Sequence, residues 1–365
     1  MDQSDVNRDF AESSVIRDAL QRAVEAGASD LHVVTGYRPT LRLHGSLQEL
    51  PGDVLTDETV RTALRTFCPQ RSLEQFERQH NADFALQMEF AGETHRFRVN
   101  YFLNDQHMGA CFRVIPPKIP DFEWAGFPAD VADRLAQFRN GLVLISGVSG
   151  AGKTTTLAMI INLLIQESGY RIITVEEPIE YLFTPGGNSM VSQREVGRDV
   201  ESFADGLKYG LRQDPDVMLI GEIRDRETAQ MALSAAETGH LIFSTLHTRD
   251  AKGAISRFAD LFPQNVQNEI RAQLSLSLRA VISQHLLPSQ LGAKRELALE
   301  IMYNNVPIAS AIRSGKPESV DRYILTSRAE GMIPLDESIK RLLHAGKIAK
   351  ETAIRFISDE GLLSR

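Results

Sequence analysis

The stretch "GVSGAGKTTTL" places glycines, a lysine and threonines at the spacing of a phosphate-binding loop. It matches G-x-x-x-x-G-K-[ST], with an apolar strand-like run before it and a helical pattern after it, which is the context that this motif requires. Glycines let backbone N–H groups turn towards phosphate oxygens, and the start of the helix adds positive charge. The residues expected to bind nucleotide are Gly147, Val148, Ser149, Gly150, Ala151, Gly152, Lys153, Thr154 and Thr155.

Two side chains of this loop have distinct expected roles. Lys153 can reach the β- and γ-phosphates, and the Thr154 hydroxyl can bind Mg²⁺. We therefore predict ATP and Mg²⁺ as cofactors. A chance glycine turn is the alternative, and the flanking strand and helix argue against it. A kinase, a GTPase or a motor would share the loop, but no guanine-selecting N-K-x-D follows it.

Acidic residues follow two apolar runs that read as buried strands. Glu176, Glu177 and Glu180 come after "RIITV", and Glu222 comes after "DVMLI". In open α/β sheets ligands bind at the carboxyl ends of the strands, which is also where the phosphate loop lies. A carboxylate there can hold Mg²⁺ through water or position the attacking water. We predict Glu180 and Glu222 as catalytic acids, against the alternative of solvated charges at strand ends.

Two histidines flank the run "LIFSTL". If that run is a strand, the α-carbons of His240 and His247 are about 23 Å apart, and even in a helix they are about 10 Å apart. Zinc ligands approach one ion to within roughly 2.1 Å, so a shared zinc is not expected. His247 lies at the catalytic edge, where it could donate to the γ-phosphate or to a carboxylate. His240 lies at the opposite edge, where packing is the simpler role.

The pattern of runs divides the chain into two domains. From Leu142, short apolar runs alternate with helical segments, which is typical of a buried parallel sheet, up to about residue 290. A mainly helical tail is expected after it. Before it, short alternating strands and a hairpin at Gly92 indicate a small α+β domain. We predict a tail over 1–12, that small domain over 13–115, a proline-rich linker over 116–130 and the α/β domain over 131–365.

Composition restricts the class of protein. A net charge of −8 without a basic stripe argues against nucleic acid as a partner. The two cysteines, Cys68 and Cys111, have no zinc-ligand spacing. The polar N-terminus has no signal-peptide pattern, and no apolar stretch is long enough to cross a bilayer. These observations predict a cytoplasmic protein.

Several segments together resemble one family, the secretion ATPases of type II and type IV systems and type IV pili. In order, they resemble its N-terminal domain start, Walker A, Asp box, Walker B and His box. The resemblance covers roughly residues 14 to 355 and is nearest to the pilus retraction branch. The segments are "GASDLHVVTGYRPTLRLHG", "GVSGAGKTTTL", "ITVEEPIEYLF", "VSQREVGRDVESFADGLKYGLRQDPDVMLIGEIRD" and "AETGHLIFSTLHT".

The resemblance implies a RecA-like P-loop ATPase domain preceded by a PAS-like α+β domain. It implies a homohexameric ring that uses ATP hydrolysis for pilus retraction and twitching motility. The ring would act at the cytoplasmic face of the inner membrane, with a membrane platform protein as partner. Glu180 and Glu222 fall on the Asp-box and Walker B glutamates, and His240 and His247 on the His box. Arg98 and Arg113 fall where family arginines approach the phosphates.

Departures from the family pattern keep alternatives open. Glu177 in "EEPIE" replaces an aspartate, and "PIASAIRSGK" keeps Ile312 and Arg313 of a helix typical of the retraction branch but lacks its first arginine and its asparagine. The pilus-assembly and type II secretion branches typically carry a four-cysteine zinc insert, which the two cysteines of this sequence cannot supply, so those branches are disfavoured. Two alternative functions remain: an ATPase of a related secretion or conjugation system, and an accessory subunit that hydrolyses ATP weakly.

Overall fold

The computed structural model describes residues 3–43, 45–167, 169–290, 292 and 294–358, without the side chains of 3–13. The chain forms two compact units. The first comprises the residues up to Lys118 together with Pro178–Leu182, and the second comprises Ile119–Glu177 and the residues from Phe183 onward. No helix in the described ranges is long and apolar enough to cross a membrane.

The first unit combines helices with short and medium strands. Its helix α1 begins at Gln3, so the described part of the predicted tail over 1–12 is helical. No Gly or Pro interrupts that stretch, and Met1 and Asp2 lie outside the described residues. The elements are α1 (Gln3–Glu25), β1 (Asp30–Val34), β2 (Thr40–Leu43), β3 (Ser46–Glu49), α2 (Asp57–Phe67), α3 (Gln70–Gln79), β4 (Asn81–Phe90), β5 (Glu93–Asn104) and β6 (His107–Ile115).

The strands of this unit form an antiparallel sheet in the order β3-β2-β1-β6-β5-β4. Apolar residues such as Leu31, Phe97 and Phe112 are fully buried in its core. The predicted hairpin is confirmed, since Phe90 pairs with Glu93 around a two-residue turn at Ala91 and Gly92. Both turn residues have positive φ, at 51° and 83°, as the tight hairpin turn requires.

One transverse row of this sheet carries charges on four neighbouring strands. Asp30 pairs in register with Arg42 on one side and with Arg113 on the other, and Arg113 pairs with Arg98. Cross-strand partners lie on the same face of a sheet. The register therefore aligns three arginines and one aspartate, which we call the arginine row.

The second unit alternates strands and helices. Its elements are α4 (Phe122–Ala125), α5 (Ala129–Ala136), β7 (Gly141–Ser146), α6 (Lys153–Glu167), β8 (Arg171–Glu176), β9 (Met190–Glu195), α7 (Phe203–Gly210), β10 (Val217–Ile220), α8 (Arg226–Glu237), β11 (Leu241–Leu246), α9 (Ala251–Asp260), α10 (Gln267–Ser277), β12 (Leu278–Pro288), β13 (Arg295–Tyr303), α11 (Val306–Arg313), α12 (Val320–Thr326), α13 (Leu335–His344) and α14 (Lys350–Phe356).

The sheet of the second unit has the order β13-β12-β7-β11-β10-β8-β9, and all pairs except β13 with β12 are parallel. Every residue of β7, β10 and β11 is buried, as expected for a parallel sheet covered on both faces. The predicted α/β layer is therefore confirmed, and the carboxyl ends of β7, β8, β10 and β11 lie along one edge.

The predicted helical tail after residue 290 is wrong at its start. Residues Arg295–Tyr303 form strand β13, antiparallel to β12, before helices resume at α11. The strand "RELALEIMY" is buried along almost its whole length, so it lacks the alternation that marks a half-exposed strand. Leu287 and Ala298 of the β12–β13 pair form a small core with Ile339 and Ile348 of the C-terminal region.

Candidate active site

The phosphate loop connects the end of β7 to the start of α6. The φ values are 151° at Gly147, 76° at Gly150 and 87° at Gly152, and residues with a Cβ rarely adopt such values. The Lys153 side chain is buried, and its Nζ donates to the carbonyls of Gly147 at 2.8 Å and Val148 at 3.1 Å. Burial lowers its pKa. The loop thus curls around a largely desolvated ammonium group.

The neighbouring oxygens suit a hard cation. Thr154 lies exposed in the first turn of α6 and presents a hydroxyl. Glu222 follows β10 and presents a carboxylate, and only 12% of its side chain is exposed. Hydroxyl and carboxylate oxygens together with phosphate oxygens form the usual Mg²⁺ environment of a phosphate loop. The donor set therefore fits the predicted ion.

Glu222 and His247 are in direct contact at the carboxyl ends of β10 and β11. His247 Nε2 lies 2.8 Å from Glu222 Oε2. The pKa of His247 is lowered by burial first, and then by Lys153 and Arg224. A neutral imidazole facing an ionised carboxylate must carry its proton on Nε2, because the carboxylate only accepts. His247 thus contacts a carboxylate, one of its two predicted partners.

Arg224 is a site residue that the sequence reasoning missed. It forms an ion pair with Glu222, and its Nη1 donates to Glu177 Oε2 at 2.8 Å. The guanidinium therefore joins the acidic segment after β8 to the acid after β10. A signal was present, because "GEIRD" places this arginine two residues after Glu222, at the same sheet edge.

The glutamates after β8 have separate partners. Glu176 is buried and accepts from Thr174 Oγ1 at 2.7 Å and from Gln193 Nε2 at 3.1 Å, which links β8 to β9. Glu177 faces Arg224. Glu180 belongs to the segment Pro178–Leu182 of the first unit. Glu177 thus joins the cluster around Glu222 through Arg224.

In the first unit, the predicted arginines each face a carboxylate. Arg98 Nη1 lies 3.6 Å from Glu180 Oε1. Arg113 Nε donates to Asp30 Oδ1 at 2.9 Å, and the Ser29 hydroxyl donates to the other oxygen of Asp30 at 2.8 Å. Asp30 was not among the predicted residues. Its signal was a single acid opening a strand, "DLHVV", whose partner on a distant strand cannot be read from the sequence.

His240 lies at the far end of β11. Its Nδ1 is 3.1 Å from the carbonyl oxygen of Ala235, close to the end of α8, and its own carbonyl accepts from Gly141 N. Because β11 is a strand, His240 and His247 are about 23 Å apart and cannot share a metal ion. His240 therefore joins a helix end to two strands, away from Glu222.

A parallel sheet that carries a phosphate loop, with acids and a histidine at the neighbouring strand ends, defines a P-loop nucleotide-binding protein with a RecA-like domain. The family model described as type II/IV secretion system protein matches residues 7–339. The chain belongs to this family, as the resemblance predicted.

Individual relatives agree with this assignment. The type IV pilus retraction ATPase PilT of Pseudomonas aeruginosa is 38% identical over 338 residues, which cover 93% of this chain and 96% of that protein. A twitching motility protein of Neisseria gonorrhoeae is 36% identical, over 87% of this chain and 83% of its own length. The crystal structure of the pilus retraction motor PilT with bound ADP matches with a TM-score of 0.82 and 38% identity, over 95% of this chain and 98% of that one.

Proposed function

We propose that this protein is an ATP-hydrolysing motor that drives type IV pilus retraction as a homohexameric ring. The observation that carries the proposal is the contact of Glu222 with His247. The charge of Lys153 in the phosphate loop is one of the causes that lower the pKa of this histidine. A phosphate-binding group, an acid and a histidine are thus grouped at one sheet edge. The relatives that are named as pilus retraction proteins support the choice of motor.

Nucleotide binding is assigned to the loop and Lys153. Backbone N–H groups of the loop and the start of α6 bind the phosphates, and the ammonium neutralises their charge. Thr154 and, through water, Glu222 would hold Mg²⁺, which when bound neutralises charge on the β- and γ-phosphates. These residues account for affinity in the ground state.

Catalysis is assigned to the acids. Glu222 is proposed to orient the attacking water or the ion, and Glu180 to act as the second catalytic acid. His247 donates to Glu222, so a change in that contact when the γ-phosphate leaves would report hydrolysis to the loop after β11. Arg98 and Arg113 are proposed to stabilise charge on the transferring phosphoryl group, either in their own chain or in a neighbouring one.

The assembly and its place in the cell complete the proposal. Six copies form the ring, which acts at the cytoplasmic face of the inner membrane on a membrane platform protein of the pilus. The PAS-like character of the first unit stays a prediction.

The retraction assignment has two competitors. The helix α11 carries "VPIASAIR", which departs from the retraction-type "AIRNLIR". An ATPase of a related secretion or conjugation system is therefore the second candidate, and an accessory subunit with weak hydrolysis is a third.

The central test uses Lys153→Ala. Loss of the ammonium should abolish measurable ATP binding in calorimetry and steady-state hydrolysis, while the thermal unfolding profile stays like that of the wild type. Unchanged ATP affinity would overturn the nucleotide site. Wild-type protein should form six-fold rings by electron microscopy and restore twitching to a cell that lacks its retraction ATPase. Rings that hydrolyse ATP but do not restore twitching would favour the secretion or conjugation system, and rings that barely hydrolyse would favour the accessory subunit.

A further inference from the structure

Strand β12 lies directly beside the strand that carries the phosphate loop. Ser283 pairs with Ser146, the last residue of β7, and the hydroxyl of Ser146 donates to that of Ser283 at 2.9 Å. Both serines are fully buried. The next residue of β12, Gln284, therefore lies next to Gly147, where the loop begins.

The backbone of Gln284 shapes the start of the loop. A Cβ added to Gly147 would lie 2.7 Å from the Gln284 carbonyl oxygen and 2.9 Å from Ala151 Cβ. These distances are shorter than any ordinary contact, so the loop packs on β12 at this point without space for a side chain. Gly147 is thus needed both for its positive φ and for this close approach.

The side chain of Gln284 holds the other end of the loop. Its Nε2 donates to Thr156 Oγ1 at 2.8 Å, and the two residues are 1% and 2% exposed. The backbone N–H of Thr156 donates to Gly152 O, so this threonine closes the first turn of α6. That turn also contains Lys153 and Thr154. One residue of β12 therefore contacts both ends of the phosphate loop.

The amide is not the most stable choice for this position. Within the described residues, Gln284 Oε1 is buried and accepts no hydrogen bond. A buried acceptor without a partner costs free energy, and an apolar side chain of the same shape avoids that cost. A glutamine is therefore poorly explained by stability alone, whereas its contact with Thr156 bears directly on the loop.

We propose that Gln284 is a positioning residue for nucleotide binding, which holds the phosphate loop in its binding shape through Thr156 and Gly147. The inference rests on the proposed function, because it assumes that this loop binds nucleotide. A loop that spends only part of its time in the competent shape binds more weakly in proportion to that fraction. The effect should therefore appear in the dissociation constant and not in the rate at saturation.

The test measures binding of MgADP and MgATP by calorimetry, together with steady-state kinetics, on the full chain. Gln284→Met keeps the size of the side chain but removes the hydrogen bond. We expect both dissociation constants to rise about tenfold, as they would if about a tenth of the loops stayed competent. Turnover at saturating ATP should fall less than about twofold, and the thermal unfolding profile should show a folded protein at the assay temperature, since the unpaired Oε1 is removed while the Thr156 hydroxyl loses this partner.

Thr156 provides a second route to the same contact. Thr156→Val should weaken binding as much as Gln284→Met, and Thr156→Ser should recover most of the loss because it restores the hydroxyl. The double variant Gln284→Met/Thr156→Val should be no weaker than either single variant, since both remove one interaction. If the loss of binding free energy in the double variant equals the sum of the two single losses, the proposal is overturned.

Asn304 offers a matched control. It too is a buried amide whose Oδ1 has no hydrogen-bond partner in the described part of the chain, and its Nδ2 donates to the carbonyls of Ser275 and Leu278. It follows β13 at the end of the sheet opposite to the loop, because Tyr303 pairs with Ala280. Asn304→Leu should leave nucleotide affinity unchanged.

The outcomes separate this proposal from the function on which it rests. If Gln284→Met and Thr156→Val bind MgADP like the wild type while Lys153→Ala does not bind, Gln284 has no positioning role but the site stands. An equal loss in Asn304→Leu would also overturn the proposal, since the effect would then belong to the sheet in general. If Lys153→Ala binds normally, the proposed function itself fails.

Discussion

The cluster around Glu222 and the arginine row bring charged groups together in different ways. In the cluster, Glu177, Glu222 and His247 come from the ends of parallel strands and contact one another or share Arg224. In the row, cross-strand register aligns the arginines, with Arg98 facing Glu180 and Arg113 facing Asp30. Strand ends thus gather acids and a histidine around one arginine, whereas register sets arginines side by side, where Asp30 and Glu180 both raise the pKa of Arg113.

This difference has consequences for how each region responds to change. In the cluster, the charge state of His247 depends on its surroundings, because burial, Lys153 and Arg224 lower its pKa. A change at one member should therefore alter the others. In the row, more than half of the Arg113 side chain is exposed, so its ion pair with Asp30 is partly screened by solvent. Loss of one arginine should leave the fold largely intact.

The largest expected effect tests the network at its centre. Glu222→Gln keeps the size of the side chain but removes the charge that holds water or Mg²⁺. We expect kcat to fall at least about 10²-fold with ATP affinity retained, the scale of one positioned acid–base group. Glu176→Gln is the matched control, because Glu176 lies at a neighbouring strand end but binds Thr174 and Gln193. Similar turnover in the two variants would contradict a special role for Glu222.

The next effect tests whether the row acts on the reaction. Arg98→Ala and Arg113→Ala should each lower kcat about 10-fold to 10²-fold with little change in ATP affinity, below the full range of an arginine finger. The double variant should cost less free energy than the sum, if the pair acts as a unit. Arg42→Ala in the same row is the control, with turnover expected to stay within about twofold of the wild type.

Mixed rings decide which chain the arginines serve. Lys153→Ala subunits mixed with Arg98→Ala subunits should recover activity if the arginine acts on a neighbour, and should stay inactive if it acts within its own chain. Wild-type rates in both single arginine variants would remove the row from the mechanism.

A smaller effect compares the two histidines. His247→Ala should lower kcat about tenfold, less than the roughly 10²-fold minimum of a group that itself transfers the proton, and leave ATP binding nearly unchanged. His240→Ala removes a contact to the end of α8 and should lower the thermal midpoint without a matching loss of turnover at low temperature. If the two variants behaved alike, the proposed division of the His box would be wrong.

The prediction with the smallest effect on turnover concerns the free energy of unfolding, to which a buried acid outside both regions contributes. Burial, with smaller contributions from Asp250 and Asp321, raises the pKa of Glu300 to about 7 against the lowering effects of a hydrogen bond from Ala251 N and of Lys252. The folded state then binds more protons than the unfolded state between the ordinary pKa and about 7. The free energy of unfolding should fall as pH rises through that window, by up to about 3 kcal/mol.

Glu300→Gln isolates this contribution. The glutamine keeps an acceptor for Ala251 N but does not titrate. Denaturant unfolding at a series of pH values should show the wild-type decline between about pH 5 and 7, and a flatter curve for the variant. A variant that keeps the full slope would assign the pH dependence to other groups.

The sequence predicted the site best where chemistry and strand ends coincide. The phosphate loop, Glu222 and His247 follow buried apolar runs, so their common edge could be inferred from the rule for parallel sheets. Arg224 and Asp30 were missed because their roles depend on partners 47 and 83 residues away in the chain. Such partners follow from sheet order and register, which a single sequence does not specify.

The missed elements have a common physical cause. Strand β3 is exposed throughout, and β9 is only partly buried, so neither shows an apolar period. Strand β13 has the opposite property, because its residues are buried on both faces. Periodicity identifies elements with one exposed face and one buried face, and these elements lack that contrast.

The five residues Pro178–Leu182 follow strand β8 of the second unit but pack in the first, where Arg96 donates to the Ile179 carbonyl and Arg98 faces Glu180. The boundary between the units is therefore crossed three times by the chain. In evolutionary terms, recombination near residue 118 would transfer the first unit without the segment that completes it. A working chimera of two related motors would have to exchange residues 178–182 together with the N-terminal part.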